Sequence, residues 1–166
     1  MRTFRSVLSL STSITAALVV AVTSAGPAMA SGRSILHEDL EGTFPLTDPV
    51  NASPVIAGVN PGGAPWVVDE DSQARVREDG RITVVVSHLV IPGRVPGNPV
   101  ALMAASLVCD DMVVDSTLAF AVSPEGNGEV SDLITGTDDC DDPIVLVRSA
   151  TNPAALGSYF AVAMED

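Results

Sequence analysis

The sequence predicts an all-β domain: an antiparallel β-sandwich of immunoglobulin-like architecture with seven to eight strands. Three observations point there. From Ala64 onward, short runs rich in Val, Ile, Leu and Ala alternate with turn signals. No run keeps the i, i+3, i+4 spacing of an amphipathic helix. Asp79-Gly80 stands between two alternating runs, a strong short-range hairpin signal because both residue types tolerate positive φ. A small barrel is the alternative arrangement of such strands.

The chain opens on an address. Residues 1–30 read as a secretory signal peptide. Arg2 and Arg5 form the basic start, Ile14 to Val22 the apolar stretch, and Gly26-Pro27 the helix break. Ala28-Met29-Ala30 is the small-x-small cleavage site, which places the mature N-terminus at Ser31. The apolar stretch is far shorter than the ~20 residues needed to span a bilayer. With no apolar tail before Asp166, no membrane anchor is expected after cleavage, and the localisation is secreted or extracellular.

Residues 31–63 form a Pro/Gly-rich zone with neither a 3.6 nor a 2 period, read as an extended leader or linker. Ser34 to Leu40 suits one helical turn, and Leu46 to Val59 suits a path along the surface of the main domain. Asn51-Ala52-Ser53 matches the N-glycosylation sequon, a short motif with many chance matches.

Residues 64–166 are the expected β-sandwich domain. Trp66-Val67-Val68 is a first run, and Ala74 to Glu78 and Arg81 to Val90 flank the Asp-Gly turn. Ile91 to Asn98 is a Pro/Gly loop, Val100 to Cys109 a strand, and Asp110-Asp111 its turn. Met112 to Val122 runs back, Ser123 to Gly128 is a loop, and Glu129 to Thr135 a shorter strand. Thr137 to Pro143 is an acidic loop, Ile144 to Ser149 a strand, and Ser158 to Met164 the last strand. The chain has six aromatic rings; Trp66, Phe120, Tyr159 and Phe160 are expected in the core because rings bury the most area.

Cys109 and Cys140 are the only cysteines. An even count in an exported chain reads as one disulfide. The spacing is not Cys-x-x-Cys, and no Cys/His set for zinc exists. Trp66 precedes both cysteines, so the antibody-type Cys–Trp–Cys order is absent.

Charge narrows the functions. The chain carries 8 Arg, no Lys and 21 acidic residues, a net charge of −13. Beyond residue 30 that is 6 Arg against 21 acids, or −15. Nucleic-acid phosphate and anionic lipid both repel such a chain. The absence of Lys removes Schiff-base chemistry. Asp110 and Asp111 follow one cysteine; Asp138, Asp139, Asp141 and Asp142 surround the other. A disulfide would bring these six carboxylates near one point, where Ca²⁺ is a candidate cofactor because it takes clustered oxygen ligands. A solvated acidic rim is the plainer reading, and no EF-hand spacing is present.

Catalytic motifs are missing. There is no G-x-S-x-G, H-E-x-x-H, S-x-x-K or Walker loop. His37 falls in the leader, and His88 falls in a strand pattern, where it reads as a half-buried packing residue. The carboxylates keep a small secreted hydrolase open, since a carboxylate pair is enough for glycoside chemistry. The favoured reading is a non-enzymatic module with no resident cofactor and a protein or envelope partner.

A resemblance runs from Pro65 to the C-terminus. It is carried by Pro65-Trp66-Val67, Asp79-Gly80-Arg81, Leu89-Val90-Ile91-Pro92, Asn98-Pro99-Val100 and Ala105 to Cys109, then Leu118, Ser123-Pro124-Glu125-Gly126, Cys140 and Ile144 to Val147. On these residues the chain resembles uncharacterised secreted proteins of Gram-positive actinobacteria. The resemblance implies export, a β-rich domain and the Cys pair, and it brings no catalytic residue.

Overall fold

The computed structural model describes residues 32–152 and 155–165. The expected signal peptide and its cleavage site at Ala28, Ala30 and Ser31 lie outside the described residues. The compact unit that holds the described ones is Ser31–Asp166.

Among the described residues the strands, in chain order, are β1 (Ser34–Asp39), β2 (Glu41–Gly42), β3 (Gln73–Arg77), β4 (Arg81–Val86), β5 (Leu102–Cys109), β6 (Met112–Ser116), β7 (Phe120–Ala121), β8 (Gly128–Leu133), β9 (Ile144–Ser149) and β10 (Tyr159–Ala163). They form two sheets whose strand pairs are all antiparallel. One has four strands in the order β1-β3-β4-β8. The other has six, in the order β2-β10-β9-β5-β6, with β7 also on β5.

The sheets pack face to face in a sandwich-like arrangement around one apolar core. Leu36, Val76, Ile82 and Val84 enter it from the four-stranded sheet, and Met103, Leu107, Val145 and Val147 from the six-stranded one. Trp66 and Phe160 meet in it with ring centroids 4.4 Å apart. The four expected core rings, Trp66, Phe120, Tyr159 and Phe160, are all buried.

The Asp79-Gly80 hairpin forms, but only Gly80 takes positive φ (82°). Gly80 N–H donates to Arg77 C=O (3.0 Å), and Arg81 N–H to the Asp79 carboxylate (3.1 Å). A Cβ on Gly80 would lie 2.4 Å from the Ile134 carbonyl oxygen, so glycine is required there. Asp110 and Asp111 form the second tight turn, with φ of 50° and 59°. Both values are positive, as a two-residue type I′ turn demands.

Residues 34–42 depart from expectation. Ser34–Asp39 is a strand on β3 rather than a helical turn, because Leu36 and Leu40 point into the core while His37 faces solvent. Glu41 and Gly42 pair with Val162 and Ala161 of β10. The stretch from Ser34 to Gly42 thus lends a strand to each sheet, and the β-fold begins well before residue 64.

Two apolar runs are also shorter than expected. Trp66-Val67-Val68 makes one antiparallel bridge, Val67 to Val90, instead of a strand. Met112 to Val122 splits into β6 and β7, because Thr117 Oγ1 accepts from Ala105 N–H (3.0 Å) in place of a backbone carbonyl. Leu118 N–H then turns to Asp132 of β8 (2.9 Å).

Residues 54–60 cover the outer face of the six-stranded sheet. Ile56 and Val59 exchange both backbone hydrogen bonds around Ala57-Gly58. Their side chains pack with Val108, Leu146, Tyr159 and Val162 in a second apolar cluster. The Tyr159 hydroxyl donates to the Pro54 carbonyl.

Candidate functional site

A groove of about 580 Å³ lies at one end of the domain. That is within the usual range for ligand sites, roughly 300–1,000 Å³. Three stretches far apart in sequence build it: Val67, His88 to Gly97, and Pro124-Glu125.

Hydrogen bonds hold these stretches together. Ile91 N–H donates to Gly97 C=O (3.0 Å) and Arg94 N–H to Ile91 C=O (3.1 Å), closing the 91–97 loop on itself. Asn98 is the anchor. It is buried, its side chain accepts from Val100 N–H (2.8 Å) and donates to Ser123 C=O (3.3 Å), and its own N–H donates to Pro124 C=O (2.9 Å). Leu89 N–H donates to Gly126 C=O (3.0 Å), and His88 N–H to the Asn127 side chain (3.0 Å). Gly126 has φ 87°, and a Cβ there would lie 2.4 Å from Leu89 N, so the backbones can approach only at glycine.

The groove wall is mainly aliphatic: Val67, Val90, Ile91, Pro92, Val95, Pro96 and Pro124. Val95 is 96% exposed, a degree of exposure few large apolar side chains show among the described residues. The polar members are His88, Arg94 and Glu125. None of the lining residues is Phe, Tyr, Trp, Ser, Thr or Cys, so the groove offers no side-chain hydroxyl or thiol nucleophile.

His88 corrects a sequence expectation. It lies beyond the end of β4, exposed, with φ 53°, rather than half-buried in a strand. The left-handed conformation costs a non-glycine residue free energy, and such residues concentrate at functional sites. His37 sits exposed on β1, with Nε2 3.1 Å from the Gln73 side-chain oxygen.

The Cys109–Cys140 disulfide is present, with Cα atoms 5.3 Å apart. It joins the end of β5 to the acidic loop. Asp110, Asp111, Asp138, Asp139, Asp141 and Asp142 are all exposed around it. Among the described residues no group of three or more His, Cys, Asp or Glu side chains is placed to hold a metal ion, so the six carboxylates do not meet at the expected single point.

Two other carboxylates work between the sheets. Asp115 of β6 accepts from Thr135 N–H (2.8 Å) and Thr135 Oγ1 (2.9 Å), just past β8. Asp132 of β8 accepts from Leu118 N–H, next to β6. The pair clasps the two sheets along one side. Partial burial works against Asp115 ionising; hydrogen bonds from Thr135 and Ser116 outweigh it and hold the carboxyl below its ordinary range.

No protein family, curated protein or solved structure matches the chain. Among the described residues no helix is long and apolar enough to cross a membrane. The groove escaped the sequence reading, in which Ile91 to Asn98 is only a Pro/Gly loop. The available signal was its composition: aliphatic Ile91 and Val95 set among Pro and Gly, where a plain surface loop carries polar residues.

Proposed function

We propose that this chain is an exported, non-catalytic β-sandwich module of immunoglobulin-like architecture that holds an apolar segment of a protein partner in its loop-end groove. The observation that carries the proposal is the groove: an aliphatic trough with an exposed Val95 and a polar rim, held in shape by Asn98 and the 123–127 turn. Loops on a rigid β-scaffold are the usual seat of binding in sandwich domains. An open apolar surface of this kind gains free energy by being covered. Arg94, His88 and Glu125 supply the charged and hydrogen-bonding rim that orients a peptide backbone.

Export is supported by the basic–apolar–small pattern of residues 1–30, by the resemblance noted above, and by the disulfide, which persists in oxidising compartments.

A peptide-display selection on residues 31–166 tests the binding reading. Enriched peptides should carry aliphatic side chains and perturb the amide resonances of Val67, Val90, Val95 and Glu125. Val95→Asp should cut their affinity at least about tenfold, since it charges the apolar wall without touching the core. Peptides that map to another surface, or that bind the variant equally well, would overturn it.

A further inference from the structure

A second surface stands apart from the groove. The outer face of the four-stranded sheet gathers Arg75 and Arg77 on β3, Arg81 on β4 and His37 on β1. Beyond residue 30 the chain has only six Arg against 21 acids, so half of its guanidiniums share one face. Chance placement on so acidic a surface would surround each Arg with carboxylates. Instead, among the described residues, none of the three forms an ion pair.

The register fixes their arrangement. His37, Arg75, Thr83 and Ser131 lie side by side across four strands. Arg77 and Arg81 flank the hairpin one row on, and Arg81 pairs with Leu133. The acidic members of this face, Asp39 and Glu129, sit one row the other way, beside Gln73 and Val85. Arg75 and Arg77 are two residues apart on one strand, hence about 6.7 Å. Neighbouring like charges repel, and an anion between them would relieve that repulsion. Arg75 spends only its Nε–H on Ser34 Oγ, at 3.4 Å. A shallow groove of about 230 Å³ runs over the cluster.

We propose that this face binds a short acidic peptide segment of a partner, laid extended across β3 and β4 so that alternate carboxylates meet Arg75 and Arg77. An extended peptide repeats every two residues at about 6.7 Å, the same backbone spacing that separates Arg75 from Arg77. Arg presents a planar fork suited to carboxylate. The overall negative charge favours a short segment over a long polyanion. At physiological salt the Debye length is about 8 Å, so the local cluster is felt and the distant acids are screened. A long polyanion would reach those acids directly.

The test is an NMR titration of residues 31–166 with a capped Thr-Glu-Thr-Glu-Thr-Glu peptide, its Gln counterpart and inorganic phosphate. Saturable shifts are expected at Arg75, Arg77, Thr83 and His37 with the Glu peptide alone. Binding by Arg75→Gln/Arg77→Gln should be at least about tenfold weaker. Arg81→Gln, at an exposed position, gives the same direction of effect should the double variant fail to fold. No saturable shift, equal binding of the Gln peptide, or phosphate binding the same residues as tightly would overturn the proposal.

Discussion

The two sheets solve the same burial problem differently. In the four-stranded sheet, β3 and β4 alternate strictly: Ala74, Val76, Ile82, Val84 and Val86 are buried while Arg75, Arg77, Thr83 and Val85 are not. One face meets the core and the other meets solvent, which is the common antiparallel pattern. In the six-stranded sheet, β10 is buried at all five positions and β5 at seven of eight. Its inner face packs on the other sheet. Much of its outer face is covered by Ile56 and Val59, and Arg148 lies over Ser106 with its Nε and Nη2 donating to Gly157 and Leu156 carbonyls (both 3.0 Å). Continuous apolar strands therefore signal a sheet with two covers, and part of the second cover lies in residues 54–60.

The disulfide ties the six-stranded sheet to the acidic loop. Replacing Cys109 and Cys140 together with Ser should cost about 3–4 kcal/mol, the chain entropy of a loop of some 30 residues, measured by urea unfolding. A loss well under 1 kcal/mol would mean that the bridge adds little restraint to the unfolded chain or is offset by strain in the folded one.

Tyr159 distinguishes the doubly covered sheet next. Tyr159→Phe removes the hydroxyl bond to Pro54 and should cost about 1 kcal/mol in the same assay. Burial pushes the Tyr159 hydroxyl pKa up to about 12 from 10.0. A raised folded pKa means that its contribution is complete below pH 10 and declines as pH rises from 10 towards 12. The Phe variant should lose that part of the alkaline destabilisation.

Asp115 probes the clasp between the sheets. Its folded pKa is depressed, so its contribution is present above the unfolded carboxyl pKa and is lost as pH falls through the folded one. Asp115→Asn should flatten the acid limb of the stability–pH curve. At neutral pH it should cost on the order of 1 kcal/mol or less, because the group is largely solvated. An unchanged acid limb would remove Asp115 from the clasp.

The smallest effect has the opposite sign. Ala57 sits at φ 48° in the turn of the covering segment. Ala57→Asn places a residue that tolerates this conformation and should stabilise by about 0.5–1 kcal/mol, read as a rise in unfolding midpoint. A fall would mean that the turn does not keep this geometry in solution.

Much of the fold was legible in sequence because its strands follow local rules. Alternation marked β3 and β4 and Asp-Gly the turn between them, Asp-Asp marked the turn from β5 to β6, and continuous apolar runs marked β5, β9 and β10. Residues 34–42 were not legible, because edge strands take their pairing from partners far along the chain: His37 from Arg75, Gly42 from Ala161. The groove was hidden for the same reason, being assembled from three separated loops around Asn98. The six aspartates were visible as a cluster in sequence, and the disulfide does join their loops. Repulsion and full access to water leave them spread and exposed, since nothing gathers them.

Residues 54–60 act as a structural cover and not as a tether. A double-mutant cycle between Ile56→Ala and Leu146→Ala, followed by urea unfolding of residues 31–166, tests it most directly. Leu146 is fully buried in the cluster that Ile56 completes. Leu146→Ala should cost about 2–5 kcal/mol, with a coupling of at least about 0.5 kcal/mol between the two sites. A surface-like loss at Leu146 with strictly additive variants would contradict it.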